Sequence, residues 1–176
     1  MTSLSPQSLS ESDRRLVAAW AADCAEHVLS LFENEVAGDD RPRDAIARAR
    51  AFSRGEVDAA SQIRQRFVAG RAAAVASSPA GVAAARSAAQ AAGVAHMGAH
   101  ALGAAAYAAK AAALAQDAAD DEIAWQLSRL SADTRVALRR LPLLGENSAG
   151  PLGPGLMSRG ILGSTIRELQ AALLVS

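Results

Sequence analysis

The sequence predicts an all-α fold: a compact multi-helix bundle of about six to seven helices. Its core helices are alanine-rich, and a C-terminal amphipathic helix follows on a Gly/Pro-rich linker. Three observations carry this. Hydrophobic residues make up 51% of the chain but aromatics only 3%. The difference is alanine, which loses no side-chain entropy in a helix. β-branched residues are sparse, and no run reads as a strand. Apolar residues recur instead at helical spacing between capping residues. At 176 residues the chain can bury a core without disulfide or metal staples.

The first helix lies in "SESDRRLVAAWAADCAEHVLSLFENEV". Ser10 or Ser12 caps it and acids fill its first turn. Leu16, Trp20, Cys24, His27 and Leu31 recur as its core face. "AGDDRP" ends it. Asp39 or Asp40 then caps the second helix, with Pro42 in the first turn, Ile46 and Phe52 inward, and Gly55 at its close. A third helix is expected over "EVDAASQIRQRFVAGRAAAVA", with Ile63, Phe67 and Val68 inward. "SSPAG" is a break, with Pro79 early in the next helix. From there the chain reads as helical to Gln116, with an interruption near Gly93. "DAADDEIAWQLSRL" restarts with Ile123, Leu127 and Leu130 on one face. "SADTRVALRRL" is a short helix capped by Ser131 and stopped before Pro142.

Residues 1–144 therefore read as one α-helical domain. Residues 145–176 comprise the linker "GENSAGPLGPGLMSRG" and a terminal amphipathic helix with Ile166, Leu169 and Leu173 on one stripe. That segment either docks on its own domain, swaps between subunits or stays flexible.

Net charge is zero, which argues against capture by nucleic acid or membrane through global charge. The distribution is uneven. Residues 1–58 hold eleven acids and seven arginines. Residues 59–116 hold no acid, only Arg64, Arg66, Arg71, Arg86 and Lys110. The acidic first helix is expected to lie against this basic middle. A nucleic-acid face is the weaker reading, since five cations make a poor phosphate footprint. Cys24 is the only cysteine, so no internal disulfide forms, and it reads as a small core residue. The N-terminal stretch lacks the features of a signal peptide. Residues 91–115 could span a bilayer by length, but they carry His96, His100 and Lys110, and alanine drives insertion weakly. A cytoplasmic protein is expected.

The chemistry concentrates in "AHMGAHALGAAAYAAK". At about 100° per residue, His96, His100, Gly103, Tyr107 and Lys110 fall in a strip roughly 80° wide on one helix. Gly103 would let another helix approach beside the imidazoles. The third histidine, His27, shares a face of the first helix with Asp23. Asp23, His27, His96, His100, Tyr107 and Lys110 thus form a candidate binding seam between two helices. His96 and His100 are one turn apart, a frequent half of a zinc site, which Asp23 or His27 could complete. An Asp–His pair could also serve acid–base catalysis, although no nucleophile stands beside it. The simpler reading is a hydrogen-bonded seam that fixes helix register in an alanine core. Lys110 either snorkels to solvent or pairs with an acid of the first helix. No phosphate-binding loop, nucleophile elbow or dinucleotide fingerprint is present.

Three stretches, in order, carry a further signal: "LVAAWAADCAEHVLSLFE", "DDRPRDAIARARAFSRGE" and "AHMGAHALGAAAYAAKAAALA", followed by "AWQLSRL". Together they resemble the immunity proteins of bacterial polymorphic-toxin systems, in the immunity-protein-five-like family, over roughly Ser10 to Leu144. The matching positions include Trp20, Asp23, Cys24, Asp40, Arg41, Pro42, Arg43, His96, His100, Gly103, Tyr107 and Lys110. The resemblance implies an α-helical, cytoplasmic, non-enzymatic protein without a cofactor. Its partner would be a cognate toxin that it binds and blocks.

Overall fold

The side chains of Ser10, Asp58, Ser78 and Ser131 cap the starts of four helices. The computed structural model describes residues 3–65 and 67–175. Ser10 accepts the Asp13 N–H at 3.1 Å and opens α1 (Glu11–Val28). A single turn, α2 (Ser30–Glu33), follows. Asp40 occupies the cap position of α3 (Arg41–Ser53), although Asp39 is the residue that accepts the Arg41 N–H. Ser78 caps α6 (Pro79–Gly93), and Ser131 caps α9 (Ala132–Arg139). The other helices are α4 (Ala59–Arg64), α5 (Val68–Ala72), α7 (His100–Gln116), α8 (Ala119–Ser128) and α10 (Gly160–Leu174). Short 3-10 turns cover Ala73–Val75 and Leu156–Ser158. No strand occurs among the described residues.

The centre of the bundle is the antiparallel pair α6–α7. Its packing is alanine on alanine: Ala84, Ala88, Ala101, Ala104, Ala105 and Ala108 are fully buried. Such small side chains let the two backbones approach closely, and Ser87 donates to the Ala104 carbonyl at 2.7 Å across the pair. Around this pair α1 packs against α3, α6 and α7, while α8 and α10 cover α7. Asp117 ends α7 in the left-handed region at φ 53°, which an aspartate tolerates better than most residues.

The buried face of α1 is rotated from the expected one. Val17, Trp20, Ala21, Cys24 and Val28 are buried, whereas Leu16 and His27 are exposed. The reason is again alanine: Ala18, Ala21, Ala22 and Ala25 carry the helix into the core at positions a hydrophobicity stripe undervalues. The expected third helix is split at Gln65, whose φ of −104° and ψ of 5° leave the helical region. As a result Ala69, Ala72 and Ala73 face inward, and Phe67 stands 61% exposed instead of buried.

Segment 145–176 packs back on the bundle. Leu152, Leu162, Ile166, Leu169 and Leu173 are buried, and α10 lies along α7. Gln7 ties three distant pieces together. Its carbonyl accepts the Ala99 N–H at 3.0 Å in the α6–α7 turn. Its side-chain oxygen accepts the Leu152 N–H at 2.9 Å, and its amide donates to Asn147 and to the Ala149 carbonyl.

Among the described residues, no helix is long and apolar enough to cross a membrane.

Candidate functional site

The turn between α6 and α7 decides the fate of the polar stripe. Residues 94–99 reverse the chain, with the His96 and Met97 N–H groups both donating to the Gly93 carbonyl. The stripe is therefore not one helix face. His100, Gly103, Tyr107 and Lys110 belong to α7, while His96 sits exposed in the turn before it.

Along α7 the stripe faces α6. His100 Nδ1 meets Gln90 Oε1 at 2.8 Å. An amide oxygen only accepts, so Nδ1 carries the proton and Nε2 is the acceptor. Burial, reinforced by His96 nearby, pushes the His100 pKa down to about 4, so the ring is neutral at neutral pH. A Cβ on Gly93 would lie 3.0 Å from the His100 ring, and one on Gly103 would meet the Gln90 side-chain oxygen and the Met157 methyl. Both glycines make room for this arrangement, as expected for Gly103. Tyr107 is buried, and burial raises its hydroxyl pKa despite the opposing influence of Arg86. Lys110 is half-buried and makes no ion pair among the described residues. A cleft of about 290 Å³ opens beside His96 and His100, bordered by Phe67, Arg86 and Gln90.

Helix α1 does pack on α7 and buries Trp20, whose indole N–H donates to the Gln126 carbonyl at 2.8 Å. Asp23 and His27, however, take partners other than the two histidines of the stripe. Asp23 accepts from Arg50 of α3 at 2.8 Å, and Glu26 binds the same guanidinium. His27 meets the carboxylate of Glu122 at 2.6 Å and stacks on Trp125. Both partners come from α8, and they share a cleft with Ala112, Ala115 and Gln116 at the end of α7 away from the His96 turn. The acids of α1 thus pair with Arg15 of the same helix, with Arg50 of α3 and, through Asp13, with Arg140 just after α9 at 2.6 Å. The acid-free segment 59–116 lies against α1 through α6 and α7, as expected, but supplies none of these ion-pair partners. Arg66 of that segment lies outside the described residues.

Glu122, Trp125 and Gln126 make a second polar cluster that sequence reasoning missed. Glu122 is buried and accepts from both His27 and the Gln126 amide, at 2.6 and 3.1 Å. Gln126 also donates to the Ala105 carbonyl at 3.0 Å, which leaves its own oxygen buried without a partner. The available signal was their spacing: Glu122 and Gln126 are one helical turn apart beside the apolar Ile123, with the chain's second tryptophan between them. A cleft of about 470 Å³ opens beside His27, Glu122 and Trp125. Cys24 lies close below. Its thiol is pushed well up by burial first, then by Glu122 and Asp23. It stays protonated and is no nucleophile.

Among the described residues, no group of three or more His, Cys, Asp or Glu side chains is placed to hold a metal ion. Asp23 and His27, which could have completed a site with His96 and His100, take other partners.

The model of one protein family, described as Imm-5 like putative immunity protein, matches residues 7–133. No curated protein and no solved structure matches the chain. The matched span begins at Gln7, the residue that ties the α6–α7 turn to the C-terminal segment, and ends in the first turn of α9.

Proposed function

Because the chain belongs to the Imm-5 like family of immunity proteins, we propose that it binds a cognate toxin in the cytoplasm of the bacterium that makes it, and blocks that toxin by occlusion. The family match over residues 7–133 is the observation that carries this reading. Two features support it. The polar residues pair with one another to hold helices together instead of converging on one reacting atom. The fold is also closed by many tertiary ties, which suits a protein that presents a preformed surface. The polymorphic-toxin setting extends the sequence resemblance and is part of the same proposal.

Co-purification tests it. The full chain, tagged, is expressed with the product of the gene adjacent to its own. A stoichiometric complex that relieves growth arrest caused by that product is the expected result. Relief of toxicity without a complex would point to an enzyme that alters the toxin's target and would overturn occlusion.

A further inference from the structure

Several charges of this molecule are answered by ion pairs within it. Arg50 holds Asp23 and Glu26, Arg140 holds Asp13, Arg43 holds Glu33, and His27 meets Glu122. The described residues of segment 59–116 take part in none of these pairs. Arg64, Arg71 and Arg86 are exposed, Lys110 is half-buried, and none makes an ion pair among the described residues. With no carboxylate in its sequence, the segment carries a net positive charge on a molecule of zero net charge.

Within this segment one site also has shape and an apolar component. Arg86 and His96 border the 290 Å³ cleft, and Phe67 stands at it 61% exposed. Gly70 of α5 lines the same cleft, and the exposed Arg71 is the residue after it. Lys110 lies about one helical turn beyond Tyr107, whose hydroxyl feels Arg86. Arginine beside an exposed aromatic ring at a concave site is the make-up of a protein-binding hot spot. Nucleic acid would need a longer run of phosphate contacts than these few cations provide.

We propose that the face formed by α5, α6 and the α6–α7 turn is the contact surface for an acidic patch on the partner protein. Carboxylates of the partner meet Arg86 and His96 in the cleft, Arg71 and Lys110 flank them, and an apolar partner group covers Phe67. This rests on the toxin-binding reading, and it adds the chemistry of the partner and the side of the molecule it occupies.

The first test needs no partner. The full chain, labelled with nitrogen-15, is titrated with the peptide acetyl-Glu-Asp-Phe-Glu-Asp-amide. The expected amide shifts cluster in residues 67–71 and 86–100. Arg71→Glu combined with Arg86→Glu weakens the binding at least about tenfold, while Arg159→Glu, on an exposed cation of the C-terminal segment, leaves it unchanged. Circular dichroism checks that the variants fold, and Arg86→Gln supplies a milder change of intermediate effect. Shifts spread over other faces, an effect of Arg159→Glu equal to that of the double variant, or tighter binding of oligothymidine would overturn the proposal. The co-purified complex separates the two readings. A partner that binds the parent and the double variant equally leaves toxin binding standing and removes this surface. A partner that binds neither chain removes the toxin-binding reading for that gene product, and the peptide titration still decides the surface.

Discussion

The imidazole of His27 lies flat on the indole of Trp125, ring centres 3.6 Å apart and planes 4° from parallel. It joins the end of α1 to α8, and its Nδ1 reaches the buried carboxylate of Glu122. His27 itself is 41% exposed at its side chain against 4% for Glu122, so the stack closes a carboxylate off from water. His27→Ala should lower stability by about 1–2 kcal/mol, because it removes the stack and one of two groups that meet Glu122. Trp125→Ala should act in the same direction. Chemical denaturation of both single variants and the double tests the coupling. Strictly additive losses would show that the two rings do not stabilise each other.

Acid should destabilise the protein through His100. Folding holds this ring at a pKa of about 4 against an ordinary 6.5. The unfolded chain therefore takes up the proton first as pH falls. The contribution is fully present above pH 6.5 and is lost as pH falls toward 4, amounting to about 3 kcal/mol at most. Denaturation midpoints measured at neutral and mildly acidic pH, for the parent and His100→Gln, isolate it. A variant whose loss on acidification equals the parent's would refute the assignment.

Gly103→Leu should cost roughly 1–3 kcal/mol. The new side chain enters space held by the Gln90 amide and the Met157 methyl, and displacing Gln90 strips His100 of its partner. Thermal unfolding measures the loss. An unchanged melting temperature would mean that α6 and Met157 can yield at no cost.

Ile166→Ala should cost about 2–4 kcal/mol, the range for truncating a fully buried aliphatic side chain. A loss well under 1 kcal/mol would show that α10 is not an integral part of the folded unit. Limited proteolysis gives the same information independently, since cleavage between residues 145 and 160 should wait for global unfolding.

Purified protein should carry well under one zinc per chain, and chelator should leave its melting temperature unchanged. The motive is that Asp23 and His27 are engaged elsewhere, leaving two imidazoles alone. Elemental analysis decides, and one zinc per chain would revive a metal centre at His96 and His100.

Local chemistry was legible in the sequence wherever one residue decides a local event. Ser10 and Ser131 cap the helices they precede, and Ile166, Leu169 and Leu173 form the buried stripe of α10. The helical class followed from alanine itself. That same alanine hid the rest. A helix such as α7, buried on nearly every side, has no hydrophobic stripe to report which neighbour each face meets. Position in space was therefore left to tertiary packing. It rotated the buried face of α1, turned the chain at His96, and sent His27 to Glu122 and Asp23 to Arg50. The sequence determined which helices form and which polar residues would need partners once buried. Only the tertiary structure decided who the partners are, because a long-range hydrogen bond such as the one between His27 and Glu122 depends on how α1, α7 and α8 stack, and no spacing along the chain encodes that stacking.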